Sequence, residues 1–187
     1  MENATALAIE NPPVPTELDE LKQVLSQEPI RSEDVCAEIA DIFGVRDSEV
    51  ALLCVRDTLL KFIFPEALKQ AGSIPISGSA IAARTALTKK PEVFNNFVKV
   101  RHIGIFESIK FKQPEETPST ESHVIQKLMS VPIINEEGTV WGILQVCRKG
   151  LDSKLAGPDF SREDLQKMVV VARTLGSSPI ANAVVQS

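Results

Sequence analysis

The feature that most narrows the fold is a pair of apolar runs joined by a short polar turn. Ser130-Val131-Pro132-Ile133-Ile134 leads into Asn135-Glu136-Glu137-Gly138, and Thr139-Val140-Trp141-Gly142-Ile143-Leu144-Gln145-Val146-Cys147-Arg148-Lys149 leads out. β-branched residues suit the pleated, buried surface of a sheet, and Gly138 can adopt the positive φ that closes a short hairpin loop. A largely buried antiparallel hairpin is therefore predicted here.

The remaining elements fall around it. Thr16 can cap a helix that carries Leu18, Leu21 and Leu25 at helical spacing, with Asp19 in its first turn and Pro29 as its stop. A second helix begins near Ser32, aligns Val35, Ile39, Ile42 and Phe43, and ends at Gly44. Val50 to Val55 and Leu59 to Phe64 flank Arg56-Asp57-Thr58 as two strands around a tight polar turn. Glu66 to Ala71, between Pro65 and Gly72, fits either a helical turn or an irregular edge. Ala80 to Leu87 favours a short helix, and Pro91 to Phe94 a strand stopped by Asn95 and Asn96. Residues 97–112 show no decisive period, and Gln113 to Ser122 is polar enough for a surface loop. Ser161 opens a last helix, with Asp164 three residues on and a stripe of Leu165, Met168, Val169, Ala172 and Leu175 before Gly176. Residues 1–15 read as a mobile leader, 16–176 as a single domain and 177–187 as a tail. Strands without regular crossover helices predict an α+β fold, with an antiparallel sheet and helices on its faces.

Composition removes several function classes. Twenty basic residues against 25 acidic ones give a net charge of −5, and no segment gathers lysine and arginine into a stripe, so neither nucleic acid nor an anionic membrane is an expected partner. No apolar run approaches the roughly 20 residues a spanning helix needs, and a basic, apolar leader is lacking, which predicts a cytoplasmic protein. The three cysteines, Cys36, Cys54 and Cys147, stand far apart without CxxC spacing and read as reduced core residues, with no metal site. There is no P-loop, GxSxG or HExxH, and Ser77-Gly78-Ser79 has no neighbouring base to activate a hydroxyl.

Three segments in order carry a resemblance. Ile74-Pro75-Ile76-Ser77-Gly78-Ser79-Ala80-Ile81-Ala82 with Lys90-Pro91-Glu92-Val93, then Met129-Ser130-Val131-Pro132-Ile133, then Gly138-Thr139-Val140-Trp141-Gly142-Ile143-Leu144-Gln145-Val146, together resemble the middle segment and closing hairpin of GAF domains. The resemblance implies a central antiparallel sheet with helices on one face and, on the other, short helices and loops over a pocket. It also implies a regulator of the kind that binds cyclic nucleotides or tetrapyrroles, or that chiefly dimerises. Arg148-Lys149, Phe160 and Asp164-Leu165 stand where cyclic-nucleotide-binding members carry an Asn-Lys, Phe, Asp-Glu signature, so its Asn and Glu are missing. Bilin-binding members hold the chromophore on a suitably placed cysteine, often with a histidine nearby, and neither His102 nor His123 adjoins a cysteine here; the cysteine positions also do not resemble those of free methionine sulfoxide reductases.

The expected function is thus a non-catalytic sensor domain binding an unidentified small molecule and signalling through helix-mediated dimerisation, with no evident cofactor. Ser77, Gly78, Ser79, Asn95 and Asn96 are its candidate ligand contacts. Capping and turn formation explain the same residues without a ligand. Leu18, Leu21, Leu25, Leu165, Met168 and Ala172 are the candidate homodimer interface, unless both stripes pack inside one chain. Output would pass to a separate effector. The alternatives are a ligand-free protein-interaction or dimerisation module and a thiol-based redox enzyme.

Overall fold

The computed structural model describes residues 16–70, 72–97 and 124–181. The leader 1–15, all but the first residue of 97–112, the loop 113–122, His102, His123 and residues 182–187 lie outside the described residues.

Six strands form one antiparallel sheet: β1 (Val50–Arg56), β2 (Leu59–Phe64), β3 (Ser73–Pro75), β4 (Glu92–Phe94), β5 (Val124–Ile134) and β6 (Val140–Gly150), in the order β3-β2-β1-β6-β5-β4. The helices are α1 (Thr16–Leu25), α2 (Ser32–Phe43), α3 (Glu66–Lys69), α4 (Ile81–Thr88) and α5 (Arg162–Gly176). Among the described residues no helix is long and apolar enough to cross a membrane.

The two-residue side-chain period of the central strands divides the core into two layers. Val50, Leu52 and Cys54 of β1, Leu144 and Val146 of β6, and Met129, Val131 and Ile133 of β5 face α1, α2 and α5. Ala51 and Leu53 of β1 and Ile143 of β6 face the opposite way, onto α3 and α4, through Leu68, Ala82 and Ala83. Gly138 closes the β5–β6 turn at φ +77°, as its position in the sequence predicts. Gly142 serves packing: a Cβ there would stand 2.7 Å from the Leu53 carbonyl oxygen, which no side chain tolerates.

Capping follows the sequence at both long helices. Gly44 ends α2 in the left-handed region, and Ser161 Oγ accepts from Asp164 N at 3.0 Å while Ser161 N donates to Asp164 Oδ2 at 2.7 Å. β5 begins six residues before the run that first marks it, at Val124.

The stripes of α1 and α5 correct one expectation. Leu21, Leu25, Met168 and Ala172 are buried in the core of a single chain, and Leu18 and Leu165 pack against it, so the proposed dimer residues are committed within the fold. Leu21→Ala and Met168→Ala are each expected to cost about 2–5 kcal/mol. Thermal melts should drop by an amount independent of protein concentration, and a concentration-dependent drop would place these side chains between copies instead.

At the edge of the second layer, Glu49 is 5% exposed and accepts four bonds: from Arg46 N at 2.9 Å, Arg46 Nε at 3.2 Å, Arg46 Nη2 at 2.9 Å and Lys149 N at 2.6 Å. Burial alone would raise its pKa, but the Arg46 side chain, these backbone donors and the Arg46 charge together hold it below the usual value near 4.5. A depressed carboxylate stabilises the fold above its unfolded pKa, and that contribution is lost as pH falls through the folded value. Urea melts from pH 6 to 3 should show a shallower acid-side loss for Glu49→Gln, alongside a deficit of about 1–3 kcal/mol at neutral pH. An unchanged slope would remove Glu49 as a source of acid sensitivity.

Candidate functional site

A cleft opens between α4 and the sheet. Ile125 and Leu128 of β5 and Gln145 and Cys147 of β6 form its floor, Ala80, Ile81 and Ala82 its roof, and Ile74, Phe97 and Glu49 its sides. As it stands the cleft has room for about one water molecule, and the space of about 420 Å³ around it includes open solvent.

Local irregularity in β5 builds the floor. Ile125 pairs with Lys149 and Lys127 with Arg148, so Gln126 is an extra residue. In a regular strand Ile125 would share the helix-facing side with Met129; the bulge turns it to the side of Leu128. The signal for this bulge is faint, because Gln126 and Lys127 look like surface residues in the sequence. Both are buried: Gln126 Nε2 donates to Gly150 O at 3.1 Å, and Lys127 Nζ donates to Gly157 O at 2.6 Å and pairs with Asp159 at 2.7 Å.

One polar chain crosses the otherwise apolar layer beneath α4. Thr85 Oγ1 donates to Ile81 O at 2.9 Å and lies 2.8 Å from Ser130 Oγ, which accepts from Gln145 Nε2 at 3.2 Å. Ser130 and Gln145 are direct cross-strand partners, as are Leu128 and Cys147 in the cleft floor. Two further ties hold α4. Arg84 forms a bidentate pair with Glu92, both bonds 2.9 Å, under the ring of Phe94, and Lys89 Nζ donates to Gly138 O at 2.9 Å.

The residues singled out from sequence lie elsewhere. Ser77, Gly78 and Ser79 are exposed in the turn before α4, and none lines the cleft. They do not cap the helix either: the N-cap is Ala80, without a side-chain bond. Gly78 answers to the turn, since a Cβ there would meet Pro75 O at 2.9 Å. Asn95 is a clamp, donating from Nδ2 to Phe160 O and accepting at Oδ1 from Phe160 N, both at 2.9 Å. Its amide is thereby spent on tying β4 to the approach of α5, and Asn96 is exposed outside the cleft. Ser130 and Gln145 had no sequence signal of their own beyond being polar residues in an apolar hairpin.

The residues at the signature positions hold the frame. Arg148 lies 4.8 Å over the Phe160 ring and donates to Phe43 O at 3.2 Å and Gly44 O at 3.4 Å, closing the C-terminus of α2. Lys149 Nζ donates to Ser48 O at 2.6 Å, and Asp164 is taken up in the cap of α5.

All three thiols are buried. Cys36 and Cys54 pack on the helix side of the sheet, whereas Cys147 lies on the cleft side. Burial pushes the Cys147 thiol up to about 12, despite the lowering influence of the Lys149 and Arg46 charges, and raises Cys36 as well.

The profile of the GAF domain matches residues 30–178. No curated protein is a significant match by sequence. Among solved structures, the GAF domain of a phosphoenolpyruvate-protein phosphotransferase from Coxiella burnetii superposes with a TM-score of 0.63 at 13% identity, covering 91% of this chain and 94% of that one. The GAF domain of the corresponding Acinetobacter protein gives 0.61 at 15% identity, over 86% and 90% of the two chains. A type II free methionine-R-sulfoxide reductase from Thermoplasma acidophilum gives 0.52 at 15% identity, over 86% and 94%. At these identities the likeness is one of fold, and neither the enzymes nor the phosphotransferase domains lend this chain an activity. With a six-stranded antiparallel sheet, a helical layer on one face and a cleft under α4 on the other, the chain belongs to the GAF domain family.

Proposed function

We propose that the protein is a non-catalytic regulatory domain that senses a small molecule in the cleft beneath α4. The observation that carries this reading is the chain Thr85–Ser130–Gln145, which joins α4 to strands β5 and β6 and ends on the cleft floor. A molecule seated there touches the roof, formed by the start of α4, and the floor at once. Any change it makes at Ser130 and Gln145 falls on strands whose flanking residues, Met129, Val131, Leu144 and Val146, pack against the helical layer. Communication with a second copy or a separate effector then falls to outward residues of α5 such as Val170, 41% exposed, because the inward stripe is committed to the core.

The thiols support a binding role over a redox one. Reduction of a sulfoxide by cysteine needs an accessible thiolate and a second thiol to resolve the sulfenic acid. Cys147 is alone on the cleft side, fully protonated at neutral pH, with Cys36 and Cys54 across the sheet.

Two measurements check this reading. A fragment screen followed by methyl NMR should give hits whose shifts concentrate at Ile81, Ile125 and Leu128; a screen in which these methyls never move would favour a ligand-free interaction module. Native protein should turn over no free methionine sulfoxide, and its thiols should resist iodoacetamide at pH 8 until denaturant is added. Turnover that disappears in Cys147→Ala would establish a thiol enzyme instead.

A further inference from the structure

The hydrogen-bond chain beneath α4 has a direction, and the direction specifies what the cleft can recognise. A hydroxyl donates one proton. That of Thr85 goes to Ile81 O at 2.9 Å, so in the 2.8 Å contact with Ser130 the threonine oxygen accepts and Ser130 donates. Ser130 Oγ, its own proton spent, must in turn accept at 3.2 Å, which requires the nitrogen of the Gln145 amide on that side. The network thus assigns the amide orientation from chemistry alone, where electron-rich O and N are otherwise interchangeable.

With its nitrogen turned to Ser130, Gln145 leaves its carbonyl oxygen over. Gln145 is 6% exposed and borders the cleft. Among the described residues Oε1 accepts no hydrogen bond, and it is not one of the fully enclosed unpartnered atoms, which are Trp141 Nε1 and Arg148 Nε. Its remaining opening is toward the cleft. The other polar group on the wall, the Glu49 carboxylate, is already saturated by Arg46 and the Lys149 amide. No lysine, arginine or histidine lines the cleft among the described residues, so an anion would be desolvated there without a compensating charge.

From this, resting on the small-molecule reading above, we propose that the cleft selects an uncharged, mainly apolar molecule carrying one N–H or O–H donor, and that the Gln145 carbonyl oxygen is the specificity-determining acceptor. A donor completes the one atom of the amide that is left without any partner. An isosteric acceptor cannot pair with that oxygen and leaves it unsatisfied.

Pyrrole and furan test this directly, being rings of similar size and shape that differ in an N–H against a ring oxygen. In methyl NMR titrations of the full chain, pyrrole is expected to bind at least about fivefold more tightly than furan, to shift the Gln145 side-chain carbonyl carbon, and to resist competition by acetate. Gln145→Met, which keeps the length and removes the acceptor, should bring the two rings to equal affinity. Should that variant not fold, the wild-type ratio and the carbonyl shift decide the matter. Equal or tighter binding of furan, displacement by acetate, or a preference surviving in Gln145→Met would overturn the donor assignment and leave a cleft that binds small molecules. Cleft methyls unmoved by either ring would overturn the small-molecule reading and this proposal together.

Discussion

Everything in this fold is referred to the ladder between β5 and β6. It pairs Met129 with Val146, Ser130 with Gln145 and Val131 with Leu144, so consecutive rungs point to opposite faces. One rung belongs to the helical core and the next to the cleft side. A slip of one residue would drive Ser130 and Gln145 into the packing of Met168 and Leu175, where their polar atoms would lose their partners. The cost of that slip protects the register as effectively as the apolar contacts do. Gly142 adds a steric pin, because only a residue without Cβ passes the Leu53 carbonyl at the observed spacing.

How much of this was legible depends on what kind of signal each residue leaves. The hairpin, the caps at Gly44 and Ser161, and the stripes of α1, α2 and α5 follow from periodicities that local sequence expresses directly. The start of β5 did not, because a buried lysine bonded to a carbonyl and a distant aspartate looks the same in sequence as a solvated one. The stripes of α1 and α5 indicate an apolar face without naming its partner, and here the partner is the chain's own sheet. Ser79 falls one residue and Ser77 three residues short of where a capping serine would be useful, since Ala80 occupies the cap position. Asn95 was recognisable as a residue with a purpose, but its bonds reach Phe160, 65 positions away, beyond any local pattern.

The opposite end of the ladder is held by charge set against carbonyl oxygens. Arg148 closes α2 and stacks on Phe160, Lys149 reaches Ser48 O, Lys127 reaches Gly157 O, and Glu49 gathers Arg46 and the Lys149 amide. These bonds run from β5 and β6 to the ends of neighbouring elements, where backbone groups have no internal partner. Phe160 is the meeting point, clamped by Asn95 just past the edge strand β4 and covered by Arg148 of β6. Because Ser161 follows it as the cap of α5, the entry of that helix is fixed to both β4 and β6.

A buried polar chain in an apolar layer raises the question of why it is kept. Apolar residues of similar shape at Thr85, Ser130 and Gln145 would give nearly the same stability, since each hydrogen bond only replaces one made to water in the unfolded chain. What an apolar replacement would not give is direction. The chain hands each proton from the strand toward the α4 backbone, and its far end is an oxygen at the cleft rather than an inert methyl. Stability therefore gives weak grounds for these three residues, whereas discrimination between a donor and an acceptor in the cleft requires a fixed amide orientation. The same bonds that fix it run through α4, β5 and β6, so recognition at Gln145 and the position of α4 rest on one set of atoms.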